Sequence, residues 1–272
     1  MENKTQTTQN YEVKTGRSEI SVPYKDGKLV FIHPSFGLES YWGVARAVVK
    51  AGLKLPTSEH SASLVHAAYC GPKEFTETPQ VTNIGDIMKR GGLWIANRNL
   101  WTPTQGKNPG VYVVLDEKGV GTMSELRVND LEKELEDCEE VNGIRFSKNE
   151  KVRFAPRDTY KDGEQTPDEL AKNGFVIASY GVKGAEQLAE VSRKFSYLPV
   201  TWILEPKHEA ELRVSALDAN YDAYSGYRLH VRADGGRYGH AFGVLEMKTA
   251  EAPEKNWAEA FECIQKIIPK AK

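Results

Sequence analysis

The sequence lacks any apolar run approaching the roughly 20 residues that a membrane-spanning helix needs. It lacks net charge of either sign: 36 Lys and Arg against 38 Asp and Glu leave −2 over 272 residues. That balance gives no electrostatic reason to expect nucleic acid or an anionic membrane as partner. Cysteine is sparse. Cys70, Cys138 and Cys263 are an odd number at wide spacing, with no CxxC or Cys/His metal pattern, so they read as reduced thiols of a cytoplasmic protein. The opening MENKTQTTQN has no apolar h-region. It reads as a disordered tail over residues 1–10 and not as a secretory signal. Phosphate-loop spacings are missing too: Gly181-Val182-Lys183-Gly184 matches neither GxGxxG nor GxxxxGK[ST]. The histidines His33, His60, His66, His208, His230 and His240 fall in no catalytic motif.

What is present is the composition of a folded soluble protein, 40% hydrophobic and 27% charged. The longest polar, turn-rich stretch covers residues 156–165. It marks a boundary between an N-terminal α+β lobe, residues 11–156, and a C-terminal α/β lobe, residues 157–272, with one continuous domain as the alternative. The expected fold class is α+β: mixed sheets with antiparallel hairpins, one βαβ unit and flanking amphipathic helices.

Asp26-Gly27 between two β-prone runs predicts a hairpin, and Pro23 places its first strand at an edge. Residues 35–50 read as a helix with Leu38, Trp42, Ala45 and Val49 on one stripe. A second helix starts at a Thr57 or Ser58 cap and stops at Gly71, with His66 and Cys70 one turn apart on its polar side. Ile144, Phe146, Val152 and Phe154 are expected on one face of a later hairpin. Arg145, Lys151 and Arg153 fall on the other, where a neighbouring acidic helix from residue 130 is the simpler partner than phosphate. Thr166-Pro167-Asp168-Glu169 is a helix start with a capping box. The apolar run 175–180 reads as a strand, and with the following helix and strand it makes the βαβ unit. Three antiparallel strands follow at residues 212–217, 227–232 and 240–247, then a helix over 253–268 carrying Trp257, Phe261, Ile264 and Ile268.

Two places invite a functional reading. The first is the stretch 93–116, two apolar runs around a turn-rich segment. By period two, Leu93, Ile95, Asn97, Asn99 and Trp101 share one face; Trp94, Ala96, Arg98 and Leu100 share the other. Both faces turn from apolar to polar halfway. The expectation is a strand leaving the core for a cleft, with Trp94, Asn97, Arg98, Asn99 and Trp101 binding a small molecule or a protein.

The second place is the C-terminal lobe. Asp218, Asn220 and Asp222 alternate as oxygen ligands of a Ca²⁺ loop do, although an EF-hand would require Gly at Ala223 and Glu at Leu229. Asp234 followed by Glu246-Met247-Lys248 resembles the PD-(D/E)xK metal-dependent nucleases. An Asp234-Gly235-Gly236-Arg237 turn, however, would pair Val231 with His240 and carry Glu246 about 30 Å away from Asp234. The same register brings Glu246 to the Asp218 end. The resulting metal set for Ca²⁺ or Mg²⁺ is Asp218, Asn220, Asp222 and Glu246, with Glu246 and Lys248 as candidate catalytic groups of a hydrolase or nuclease.

Leu55-Pro56-Thr57 with Glu59, followed by a Trp-rich strand, resembles the LPTxxE helix start of bacterial C-type-lectin-like domains. The resemblance covers a small part of the chain and carries over no residue role or activity. The sequence therefore points first to a non-enzymatic binding protein, with a divalent-metal hydrolase or nuclease and a structural or assembly subunit as alternatives.

Overall fold

A computed structural model describes residues 12–14, 19–104, 108–115, 126–219, 221–222, 226–233 and 238–247. In chain order the elements begin with strands β1 (Glu12–Lys14), β2 (Glu19–Tyr24) and β3 (Gly27–Glu39). Helices α1 (Tyr41–Lys50), α2 (Ser58–Cys70), α3 (Lys73–Thr76) and α4 (Pro79–Arg90) follow. Next come β4 (Leu93–Thr102), β5 (Gly110–Leu115), α5 (Val128–Glu134), β6 (Glu139–Val141), β7 (Ile144–Phe146), β8 (Val152–Pro156) and β9 (Gly163–Glu164). Helices α6 (Pro167–Lys172) and α7 (Gly174–Ser192) precede β10 (Val200–Trp202), β11 (Glu211–Asp218), β12 (Tyr221–Asp222), β13 (Gly226–Tyr227), β14 (His230–Arg232) and β15 (Gly239–Met247). Among the described residues no helix is long and apolar enough to cross a membrane.

The fold is α+β. Thirteen strands form one mixed sheet whose main path is β1-β2-β3-β15-β4-β11-β14-β10-β9; β5, β8, β7 and β6 branch from β4. Strands on both sides of residue 156 pair directly, β3 with β15 and β4 with β11. One apolar cluster fills the space between the sheet and α2, α4 and α7. A smaller one lies under α1 on the opposite face, where Tyr41, Val44 and Val48 meet Trp94, Ala96 and Ala216.

Local chemistry explains most elements. The β2–β3 hairpin forms as expected, with its turn one residue early: Tyr24 pairs with Gly27, and Lys25 takes the positive φ of 49°. β2 is not the edge strand that Pro23 suggested, because β1 pairs with its other side, but Pro23 lies beyond the last β1 partner, Ser21, so its missing N–H costs no ladder bond there. Thr57 caps α2 in a capping box with His60, and Thr166 caps α6 in one with Glu169.

Four further expectations are corrected. The helix predicted from residue 35 begins only at Tyr41, because β3 continues to Glu39 and Ser40 supplies the cap, its Oγ accepting from Gly43 N. Run 175–180 is helical, so the βαβ unit does not exist. A six-residue apolar run fits a buried helix as well as a strand, and here Asn173 decides by accepting from the N–H groups of Phe175 and Val176. Parallel pairing arises instead between β10 and β14 and at His240 with Leu93. β14 and β15 do not form a hairpin: β14 lies between β11 and β10, while β15 crosses to β3 and β4. In the β7–β8 hairpin Arg145 pairs with Phe154 and Phe146 with Arg153. That register sets Arg145 beside Phe154 and exchanges Arg153 to the face of Phe146, so the two arginines expected on one face stand on opposite faces, as a one-residue slip requires. The helix expected over 253–268 lies outside the described residues.

The exchange has a structural consequence. Arg145 pairs with Glu132 at 2.8 Å and Lys148 with Asp137 at 2.9 Å, so the acidic segment is their partner. Arg153 turns inward and is 2% exposed. Its guanidinium donates to Glu59 Oε1 at 2.5 Å and to the Ala178 carbonyl at 3.2 Å, and lies over the Phe146 ring. Glu59 also accepts from the Tyr24 hydroxyl at 3.0 Å. Gly181, at φ 70°, lets α7 bend past this carboxylate; a Cβ there would sit 2.9 Å from Glu59 Oε1. Burial pushes the Glu59 pKa up, but the Arg153 charge and hydrogen bond, the Tyr24 hydroxyl and Lys25 together outweigh it and hold the group below its ordinary value.

Replacing Arg153 by Met leaves Glu59 uncompensated and is expected to cost about 3–5 kcal/mol in urea unfolding, with less lost in the Glu59→Gln/Arg153→Met double variant. With its folded pKa depressed, Glu59 contributes stability that is complete above the ordinary value of 4.5 and is lost as pH falls through the folded value. Below pH 4.5 the unfolding midpoint of the wild type should therefore drop more steeply than that of Glu59→Gln.

Candidate functional site

β4 keeps the period-two alternation expected of it, but it does not leave the core. β5 and β11 flank it, α1 covers one face, and α2 and α7 cover the other. Trp94, Asn97, Asn99 and Trp101 are buried, and Arg98 nearly so. Trp94 packs on Tyr41 and donates Nε1–H to the Glu39 carbonyl at 2.9 Å. Trp101 packs against Tyr160 and Phe175. The five residues thus stand inside the sheet sandwich, and the polar centre of the strand is met from within. Ser58 Oγ donates to Asn97 Oδ1 at 2.5 Å, and Asn99 Nδ2 donates to Ser215 Oγ at 2.6 Å. The β4–β11 ladder breaks at this point, between Val214 and Ser215. There Ala96 N donates to the Pro56 carbonyl at 3.2 Å, which seats the start of α2 against the strand.

Of the residues expected to hold a metal, Asp218 and Glu246 stand on strand positions far apart. Asp218 ends β11 next to Leu217, which pairs with Leu93. Glu246 pairs with Leu29 on β3, six residues along β15 from His240, which also pairs with Leu93. At strand rise that is about 20 Å from the Asp218 end. The cause is the absent β14–β15 hairpin. Asp218 is instead shared by His230 at 3.5 Å and the Arg232 guanidinium at 3.4 Å. Asp222 lies in β12; Asn220 and Lys248 are outside the described residues. Among the described residues no three His, Cys, Asp or Glu side chains gather as a metal site.

Other chemistry-bearing groups are similarly occupied. His66 is bonded to Glu190 at 2.6 Å, and burial pushes the Cys70 thiol up, away from the thiolate a nucleophile requires. Ser35 Oγ and His240 Nδ1 are 3.1 Å apart, and burial lowers the His240 pKa.

The surface feature that stands out was not legible in any motif. Eight large apolar side chains are exposed among the described residues, and five of them, Leu38, Tyr197, Leu198, Tyr227 and Tyr238, collect at one end of the sheet. This is the end where β3 and β11 finish and where β15, β4, β14 and β10 begin. The Gly91-Gly92 turn marks its middle. A Cβ on Gly91 would lie 2.9 Å from Leu38 and 3.9 Å from the Tyr238 carbonyl; one on Gly92 would lie 2.9 Å from the Asp218 Cβ. Lys89 stands over the Tyr227 ring and Arg228 over that of Tyr197, while Arg228 is held by Glu164 at 2.8 Å. Five strand spacings separate β3 from β10, so the rim is about 24 Å wide.

These features define an α+β protein with a closed polar interior and an aromatic rim. No family model matches the sequence, and no curated protein matches it. A solved structure, described as "Accommodation of massive sequence variation in Nanoarchaeota by the C-type lectin fold", superposes with a TM-score of 0.43 at 15% identity, over 74% of this chain and 93% of that one. No residue role is transferred from it.

Ser215→Ala strips the Asn99 amide of its partner, and Ser58→Ala does the same to the Asn97 carbonyl. Each is expected to lower unfolding stability by about 1–3 kcal/mol at unchanged m value. Ser35→Ala, at a partly exposed bond, should stay within about 0.5 kcal/mol.

Proposed function

We propose that the protein is a binding protein that recognises another protein through the rim formed by Leu38, Tyr197, Leu198, Tyr227 and Tyr238. The observation that carries this reading is the concentration of exposed tyrosine and leucine at one end of the sheet. Tyrosine presents a large, rigid surface with a polar tip and little rotamer entropy to lose, which is why it is enriched where proteins meet. The adjoining charges are already tethered, Arg228 to Glu164 and Arg232 to Asp218. They can frame a partner without being reordered on binding. The width of the rim suits a contact patch of ordinary size.

The test is affinity capture with the wild type, with a Tyr197→Ser/Tyr227→Ser/Tyr238→Ser variant, and with a Val49→Ser/Leu204→Ser variant altered at exposed apolar positions away from the rim. The reading expects a partner held by the wild type and by the Val49/Leu204 variant, and weakened at least tenfold by the tyrosine variant. Equal retention by all three would overturn it.

A further inference from the structure

We infer that the interior between β4 and α7 holds a structural water bonded by Asn97, Asn99 and Ser179. Five polar side-chain atoms on β4 and α7 have no protein partner and belong to residues with no exposed surface; besides Trp101 Nε1 and the Tyr180 hydroxyl, they are Asn97 Nδ2, Asn99 Oδ1 and Ser179 Oγ, the three that the water bonds. Turning either amide over does not remove the problem. Asn97 has one bond, to Ser58, and Asn99 has one, to Ser215. A flip changes which end of each amide is orphaned and leaves one orphan in every case.

The backbone brings the three residues to neighbouring positions between β4 and α7. Asn97 and Asn99 are two residues apart and so point to the same side of β4. Their Cα atoms are about 7 Å apart at strand rise, and a water with a bond of about 2.8 Å to each side spans about 5.6 Å. Ser179 is brought to the same level by two independent contacts. Phe175 packs on Trp101, and Ser179 follows Phe175 by four residues, on the same helical face. Four helical residues rise about 6 Å and two strand residues about 7 Å, which sets Ser179 level with Asn99. Independently, the Ala178 carbonyl is bonded by Arg153, which pairs with Val113, which pairs with Asn99. The three orphan atoms are one donor, one acceptor and one hydroxyl that serves as either. A water accepting from Asn97, donating to Asn99 and bonded to Ser179 makes the roughly three bonds usual for buried water. The polar centre of β4 is therefore a site for a ligand as small as water.

The test is solution NMR on the full chain with ¹⁵N-labelled asparagine, reading cross-relaxation between water and the assigned Asn97 side-chain amide. The expected result is a cross-peak of the sign given by long-residence water, lost in Asn99→Leu. Should Asn99→Leu not fold, Ser179→Ala removes one of the three partners and is expected to weaken the cross-peak severalfold. No cross-peak at the assigned Asn97 amide of the folded wild type overturns the inference. So does a cross-peak abolished by Ser58→Ala but untouched by Asn99→Leu and Ser179→Ala, because that pattern is relay through the Ser58 hydroxyl.

Discussion

A guanidinium carried into a protein interior must be met by an opposite charge and by acceptors for its remaining donors, and in this chain that demand falls on Arg153. Three separate elements are held in place by meeting it. α2 brings Glu59, the first segment of α7 brings the Ala178 carbonyl, and the β2–β3 hairpin brings Tyr24 to the same carboxylate. The kink at Gly181 belongs to the same arrangement, since only a residue without a side chain passes Glu59 at that distance. Arg153 thereby joins the β4–β5–β8 branch of the sheet to the helical layer that closes over β4.

That closure determines what the middle of β4 can be. With α2 and α7 on one face and α1 on the other, Asn97 and Asn99 have no route to solvent, and their hydrogen bonds must be found inside. Ser58 and Ser215 each supply one. The Pro56 carbonyl, taking the Ala96 amide where the β4–β11 ladder breaks, locks the start of α2 onto the strand. A polar core of this kind restricts how the layers can slide, because any shift would leave buried amides unbonded.

The exposed apolar surface lies at the periphery. The sheet order gathers the ends of β3, β15, β4, β11, β14 and β10 into one rim, and the loops there expose tyrosine and leucine instead of burying them. The acid nearest this rim, Asp218, is engaged by His230 and Arg232.

Much of what the sequence made legible was local. The hairpin at Asp26, the caps at Thr57 and Thr166 and the alternation along Leu93–Thr102 each follow from a few neighbouring residues, and each is present. The α+β class follows from the sum of such signals. Pairing between distant strands was not local, and there the reading went astray. The run 175–180 has no intrinsic preference strong enough to choose strand over helix, and the choice rests on the Asn173 cap and on burial of the whole segment under the sheet. A hairpin between β14 and β15 satisfied the apolar pattern as well as the observed pairing of β15 with β3 does, because period two records which face is buried and not which strand lies beside it. The polar residues of β4 were visible as an anomaly from the outset. Whether an asparagine on a strand faces water, a ligand or a serine depends on what packs above it, and Ser58 is 39 residues away in the chain while Ser215 is 116. Turns, caps and the alternation of single strands were written in the order of residues; the state of ambiguous apolar runs, strand partners, register and the location of the exposed surface were decided by tertiary packing, because those interactions join groups that no short stretch of sequence contains together.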